Sequence, residues 1–209
     1  MRIKICGITS TEHGLAAARL GADFLGFVFV PGTPRYLEPQ QGKRIIEEIK
    51  AELGEHRPRF VGLFVNAPGK TVERIADTCG LDYVQLCGDE SPEYCRRLKL
   101  PVFRTLRPRN VFDLACFDDF AAVATRLVLD SFKHGAYGGT GVKADWRLAA
   151  LAAARYPLML AGGLTPENVT AAIRTVRPWG VDVSSGVETN GVKDVNKIAR
   201  FIEAVRTKQ

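Results

Sequence analysis

The chain has 209 residues, of which 46% are hydrophobic and 25% are charged. These proportions are typical of a globular protein with one sizeable core, and no apolar run is long enough to cross a bilayer. The sequence enters its first strand without a leader segment, so we expect a cytoplasmic protein with no membrane partner. The net charge is +6, but the basic residues are dispersed, which favours a phosphate-bearing small molecule over a nucleic acid as partner.

The cysteines and histidines form no recognisable ligand pattern. Five cysteines are present, an odd number, and no two of them make a C-x-x-C pair. The three histidines are widely separated. We therefore expect neither a disulfide framework nor a metal site.

The first turn of the chain places a thiol at the end of a strand. Residues 2–6 alternate with a period of two and end in Cys6, and Thr9 with Glu12 three residues later predicts a capped helix. Residues 23–30 are almost continuously apolar, as in a strand that is buried on both faces.

The same alternation of strand and helix continues to the end of the chain. Further strands are predicted at residues 59–65, 82–87, 101–106, 126–130, 157–161 and 180–184. Further helices are predicted at residues 39–54, 68–80, 110–116, 144–155, 165–176 and 194–206, with one more beginning after Ser91. Eight such units without a linker predict a single-domain α/β protein, a (β/α)8 TIM barrel over residues 1–209. A doubly wound open sheet is the alternative, but no G-x-G-x-x-G follows the first strand.

Polar residues gather where four of these strands end. Side chains alternate along a strand, so residues of equal parity share a face. The residues predicted to point into the upper barrel are Lys4, Cys6, Gln85, Cys87, Asp130, Asp182 and Ser184. A buried lysine needs a carboxylate partner, and the sequence leaves open whether Lys4 and Asp182 form only an internal ion pair or act directly on a ligand.

Glycine-rich turns follow the last three strands, at residues 138–141, 162–163 and 184–186. Glycine lets backbone N–H groups approach an anion closely, and the turns after strands seven and eight form the usual phosphate site of such barrels. Val187 and Glu188 would begin the short helix that completes this site. The turns therefore predict a phosphorylated small-molecule substrate.

Longer motifs follow one another in order over nearly the whole chain. They are KICGIT (4–9), GADFLGFVF (21–29), TPRY (33–36), VGLFV (61–65), QLCGDE (85–90), GGTG (138–141), LAGGL (160–164) and VDVSSGVE (181–188). In these motifs the chain resembles the phosphoribosylanthranilate isomerase family of tryptophan biosynthesis.

The resemblance implies an Amadori rearrangement without a cofactor, in which N-(5'-phosphoribosyl)anthranilate becomes the 1-deoxyribulose phosphate. Ring opening needs a general acid, and proton removal from the second sugar carbon needs a base. By resemblance the acid is Asp130, the base is Cys6, and Arg35 faces the anthranilate carboxylate. The substrate-binding residues are then Arg35, Gln85, Gly138, Gly139, Gly162, Gly163, Asp182, Ser184, Ser185 and Gly186.

The site should tune its acid and its base in opposite directions. We expect Lys4 and a helix N-terminus to lower the pKa of Cys6 and the surroundings to raise the pKa of Asp130. Cys87 stands where the family often has His, and Thr33 where it often has Ser. We expect Cys87 only to line the pocket.

Other functions remain open from the sequence alone. An enzyme such as an indoleglycerol-phosphate synthase or a sugar-phosphate epimerase could use the same fold, as could a catalytically silent phosphate-binding barrel. The acid and base argue against a silent barrel, and the lack of a metal-ligand pattern argues against an epimerase. The chain could be a monomer or a homodimer.

Overall fold

Eight parallel strands form a closed barrel in a computed structural model that describes residues 1–131 and 145–207. The strands β1–β8 are Arg2–Cys6, Phe24–Val28, Arg59–Phe64, Tyr83–Leu86, Val102–Leu106, Arg126–Leu129, Leu158–Leu160 and Gly180–Val183. Each pairs with its neighbours in chain order, and β1 closes the barrel against β8. The predicted (β/α)8 barrel is therefore confirmed, and the open sheet is excluded.

Helices cover the outside of the barrel. Within the described ranges α1–α8 are Thr11–Arg19, Pro39–Leu53, Gly69–Cys79, Pro92–Arg97, Cys116–Ala121, Trp146–Ala153, Val169–Val176 and Val195–Arg206. Short 3-10 turns lie at Gly54–His56, Val111–Ala115 and Ser185–Val187. No helix among these residues is long and apolar enough to cross a membrane.

The strand register separates two apolar layers. Ile3, Ile5, Val181 and Val183 belong to the large core between strands and helices, as their parity predicts. A second cluster fills the lower barrel; its members are Phe24, Val61, Phe103, Val128, Met159 and Ala161. Two members of this cluster, Val128 and Ala161, also line the cavity at the carboxyl end of the barrel.

Several local predictions need correction. The helix predicted at residues 110–116 is a 3-10 turn at Val111–Ala115, and the α-helix of this segment follows it at Cys116–Ala121. Helix α1 is capped by Ser10, whose hydroxyl accepts from the His13 N–H, and not by Thr9. Helix α7 begins at Val169, because residues 165–168 form a turn first. After β8 the chain forms a 3-10 turn and then an antiparallel hairpin of β9 (Glu188–Thr189) and β10 (Val192–Lys193), which was not predicted.

Candidate active site

A cavity of about 370 Å³ opens at the carboxyl end of the barrel. Most residues predicted for the site line it: Cys6, Arg35, Gln85, Asp130, Gly162, Gly163, Asp182, Ser184, Ser185 and Gly186. Cys87 lines it too. The predicted glycines Gly138 and Gly139 lie outside the described residues. Alternation along the strands and the closure of the barrel bring these distant side chains together.

Lys4 and Asp182 form an ion pair inside the barrel. The Lys4 Nζ atom lies 2.9 Å from Asp182 Oδ2, and the lysine side chain is fully buried. The two residues are register partners on β1 and β8, so the pairing follows from barrel closure. Burial opposes the lysine charge, but Asp182 and Cys6 together raise the pKa of Lys4. Asp182 Oδ1 is buried without a hydrogen-bond partner in the described part of the chain, and Asp182 lines the cavity.

The Cys6 thiol is held neutral, contrary to the prediction from sequence. It is 5% exposed, and burial raises its pKa above the ordinary value, while Lys4 pulls it down and Asp182 pushes it up. Lys193 also lowers it, more weakly. The prediction counted the charge of Lys4 but neither the burial of the thiol, which has the largest effect on its pKa, nor the opposing charge of Asp182.

Asp130 stands just beyond the end of β6 and is also biased toward its neutral form. Burial raises the pKa of Asp130, and Arg107 partly counters this. The Arg107 Nε atom lies 3.8 Å from Asp130 Oδ2, and Asp130 Oδ1 accepts the Ser131 backbone N–H at 2.8 Å. The predicted direction of this pKa is therefore confirmed. A neutral carboxyl is the form that can donate a proton.

Gln85, Cys87 and Thr105 bond to one another on the cavity wall. Gln85 Nε2 donates to the Thr105 hydroxyl at 3.0 Å, and the Cys87 thiol shares a hydrogen bond of 3.2 Å with the same hydroxyl. Burial raises the pKa of Cys87 to about 11. The Cys87 thiol therefore stays protonated at neutral pH.

The Arg35 guanidinium already has a carboxylate partner in the protein, because it forms a bidentate pair with Glu188. Its Nε donates to Glu188 Oε1 at 2.7 Å and its Nη2 to Oε2 at 2.6 Å. Glu188 also accepts from Lys193. Burial opposes ionisation of Glu188, but the hydrogen bonds from Arg35 and Lys193 lower its pKa. Arg35 reaches the cavity rim in this arrangement.

The turns after β7 and β8 lie against each other. A Cβ atom at Gly186 would fall 1.8 Å from the Leu164 carbonyl oxygen, so only glycine allows this contact. The turn after β8 is the 3-10 segment Ser185–Val187, which begins two residues before the helix start predicted at Val187. Residues of both turns thus line the same cavity, and backbone N–H groups of glycine-containing turns can form an anion site.

Several residues near the site were not predicted from sequence. Thr105 and Ser131 line the cavity, and Arg107 and Lys193 act on the acid and the base. The signal for Lys193 was present: Asn190 and Gly191 both have positive φ, and Asn-Gly is a strong hairpin signal. No group of three or more His, Cys, Asp or Glu residues suited to a metal ion occurs within the described ranges.

Comparison with known proteins agrees with this geometry. The family model for N-(5'phosphoribosyl)anthranilate (PRA) isomerase matches residues 3–204. The chain is 45% identical to the N-(5'-phosphoribosyl)anthranilate isomerase of Syntrophus aciditrophicus, over 99% of this chain and 88% of that protein.

Solved structures agree as well. The dimeric phosphoribosylanthranilate isomerase of Thermotoga maritima, solved as generated monomers, superposes with a TM-score of 0.85 at 36% identity, covering 99% of each chain. A phosphoribosyl anthranilate isomerase in complex with reduced 1-(o-carboxyphenylamino)-1-deoxyribulose 5-phosphate matches with the same TM-score, identity and coverage. On its motifs, its barrel and these matches, the chain belongs to the phosphoribosylanthranilate isomerase family.

Proposed function

We propose that this chain isomerises N-(5'-phosphoribosyl)anthranilate to 1-(2-carboxyphenylamino)-1-deoxyribulose 5-phosphate, with Asp130 as general acid and Cys6 as general base. The observation that carries the proposal is that Cys6, at the end of β1, and Asp130, just beyond β6, line one cavity. An isomerisation of this kind breaks the bond between the ring oxygen and the first sugar carbon, with the amine nitrogen forming an iminium, and then moves protons within the substrate. Two proton-transfer groups in one pocket provide what these steps need.

The reaction begins with opening of the furanose ring. Asp130 donates its proton to the ring oxygen, and the neutral state favoured by burial keeps that proton available. The deprotonated Cys6 then removes the proton from the second sugar carbon and gives an enolamine, which tautomerises to the product. The reactive state therefore combines a protonated Asp130 with a deprotonated Cys6.

Lys4 and Lys193 favour the reactive form of the base. Both ammonium groups lower the pKa of Cys6 against the effect of burial. Their positive charge lowers the free energy needed to deprotonate Cys6, although the thiol stays the resting form. A thiolate of high pKa is a strong base. Asp182 keeps Lys4 in place, and its second oxygen faces no protein donor in the described residues. We propose that a sugar hydroxyl bonds this oxygen.

The two ends of the substrate need different anion sites. We propose that Arg35 binds the anthranilate carboxylate and that Gly162, Gly163, Ser185 and Gly186 hold the phosphate through backbone N–H groups. We propose that Gln85 on β4 and Ser184 after β8, which line the cavity from opposite sides of the barrel, bond the sugar. Gly138 and Gly139 remain predicted phosphate ligands.

Three further properties stay proposals. The organisation as one domain over residues 1–209 is supported by closure of a single barrel between β1 and β8. The protein would be a monomer or a homodimer, and the dimeric relative from Thermotoga maritima supports the latter. A biosynthetic role without a cofactor agrees with the cytoplasm as its location.

A turnover assay tests the proposed function. The purified chain is given phosphoribosylanthranilate, and loss of the anthranilate-type fluorescence is followed together with the mass of the product. We expect rapid loss with no change in mass, because the reaction is an isomerisation. An indoleglycerol-phosphate synthase would leave phosphoribosylanthranilate unchanged, because its loss of carbon dioxide and water starts from the deoxyribulose phosphate. No loss of fluorescence would therefore overturn the proposal.

A further inference from the structure

Glu188 lies between two cations at the edge of the cavity. Its side chain is 6% exposed, that of Lys193 is 1% exposed and that of Arg35 is 18% exposed. Lys193 Nζ also donates to the Ser184 carbonyl oxygen at 3.2 Å. The order Arg35, Glu188, Lys193 therefore runs from the cavity rim into the protein.

The hairpin that carries Glu188 is held in place by a tight turn and by side-chain hydrogen bonds. Asn190 and Gly191, with φ of 54° and 79°, form the tight turn that joins β9 to β10. Outside the turn, Lys197 Nζ donates to the Glu188 carbonyl oxygen at 2.6 Å, and the Thr189 hydroxyl donates to Asp194 at 2.7 Å. A carboxylate on such a support has a defined position.

Glu188 bonds one edge of the Arg35 guanidinium and leaves a second edge without a bond to it. It bonds Nε and one hydrogen of Nη2 of Arg35, and no hydrogen bond to Nη1 is present in the described part of the chain. A guanidinium has a second fork formed by Nη1 and Nη2, which matches a second carboxylate. The stem of Arg35 also packs closely against Gly7. A Cβ atom on Gly7 would lie 2.4 Å from Arg35 Cδ, so only glycine leaves room for the arginine.

The summed charge of Arg35, Glu188 and Lys193 favours binding of an anion. Arg35 and Lys193 carry two positive charges and Glu188 carries one negative charge, so one positive charge remains for a ligand. Without Lys193 the sum would be zero, and Glu188 would repel an incoming carboxylate from a short distance. The buried lysine thus neutralises the glutamate and leaves the arginine charge available.

We propose that Glu188, anchored by Lys193, is a positioning residue that turns the unused N–H fork of Arg35 toward the carboxylate of an aromatic amino-acid ligand. The inference rests on the proposed function, because it concerns how Arg35 recognises the carboxylate of that substrate. It assigns the hairpin β9–β10 a role in substrate specificity and none in proton transfer.

The test compares two ligands that differ only in that carboxylate. One is reduced 1-(o-carboxyphenylamino)-1-deoxyribulose 5-phosphate, and the other is its phenylamino counterpart without the carboxyl group. In Glu188→Gln the first ligand should bind about tenfold more weakly, while the second should change less than about twofold. The KM of the substrate should rise by a similar factor, with a smaller change in kcat.

Two further variants serve as controls. Glu52→Gln removes a glutamate that bonds Arg19 on the surface, and it should change neither affinity. Glu188→Asp keeps the negative charge, so it should lose less affinity for the carboxylated ligand than Glu188→Gln does. It also provides a second test if Glu188→Gln folds poorly. Equal losses for both ligands in Glu188→Gln, or no recovery in Glu188→Asp, would overturn the inference.

The same ligands separate this inference from the proposed function. Arg35→Ala should weaken only the carboxylated ligand. If it does so and Glu188→Gln does not, the positioning role of Glu188 is wrong while the role of Arg35 stands. If Arg35→Ala weakens both ligands equally, the proposed recognition by Arg35 fails, and the inference about Glu188 fails with it.

Discussion

Two groups of buried charges lie on opposite sides of the strand layer. Outside the barrel, Arg104 donates to Glu90 at 2.8 Å and to two backbone carbonyls, and its guanidinium lies over the Phe120 ring. Inside, Lys4 bonds one oxygen of Asp182 and leaves the other without a donor in the described residues. Both groups are charged and buried, but only the inner one borders the cavity.

The difference is in how completely the carboxylates are bonded. Glu90 accepts from Arg104 and from the backbone N–H groups of Asn66 and Gly88, so both of its oxygens are used. A buried carboxylate whose two oxygens both accept hydrogen bonds from the protein stabilises one arrangement of the loops and has no oxygen left for a ligand. Asp182 keeps one acceptor for a substrate. Burial of charge alone therefore does not mark a catalytic site.

The largest expected effect is on turnover. Cys6→Ser and Asp130→Asn should each lower kcat by roughly 100-fold or more, because each removes one proton-transfer step. Steady-state kinetics with phosphoribosylanthranilate measures this, and circular dichroism checks that the fold is intact. Near-normal turnover in either variant would remove that residue from the mechanism.

The outer group should respond in stability instead. Arg104→Met leaves the Glu90 carboxylate buried without its cation and should lower the free energy of unfolding by about 3–5 kcal/mol. The kcat of the folded enzyme should not change. Urea unfolding measures the loss, and Arg96→Met, which breaks an exposed pair with Glu93, should cost at most about 1 kcal/mol. Similar losses in both variants would show that the outer pair is not special.

At the cavity rim, Arg35→Ala should weaken substrate binding by about 1.5–3 kcal/mol, the usual contribution of hydrogen bonds to charged groups. Inorganic phosphate, which competes only for the glycine turns, should inhibit wild type and variant equally. The measurement compares the inhibition constant of phosphate and the KM of the substrate between wild type and Arg35→Ala. An equal loss for phosphate would mean that Arg35 shapes the whole cavity.

The smallest expected effect concerns Cys87. Its thiol stays protonated and bonds Thr105 on the wall, so Cys87→Ala should change kcat less than about tenfold. Cys87→Ser, which keeps a hydrogen-bonding group, provides the matched control. A Cys87→Ala enzyme as inactive as Cys6→Ser would show that the thiol takes part in the chemistry.

The sequence predicts the barrel and its inner face well, because both depend on local patterns. Period-two alternation on β1 and β8 places Lys4 and Asp182 inside, and the need to neutralise a buried lysine predicts a carboxylate partner. The barrel register then makes them neighbours. The motif QLCGDE belongs to the family, but its Glu90 bonds outside the barrel, which the motif does not reveal.

Local sequence patterns do not predict contacts between segments that are distant along the chain. Arg35 and Glu188 are 153 positions apart, and only the folded turns bring them together. The pKa of Cys6 was predicted in the wrong direction, because it depends on the balance of burial, Lys4 and Asp182 in three dimensions. The Asn-Gly hairpin was locally encoded and could have been predicted.

The pH dependence of kcat/KM in the two catalytic variants tests the acid–base assignment most directly. Burial raises the pKa of both Asp130 and Cys6, and the reactive state needs the first protonated and the second deprotonated. In Asp130→Asn only the thiol titrates, so the residual rate should rise about tenfold per pH unit up to the raised pKa of Cys6. In Cys6→Ser only the acid titrates, so the residual rate should fall as pH rises through the raised pKa of Asp130. Opposite slopes are the result we predict, and parallel profiles in the two variants would contradict the assignment.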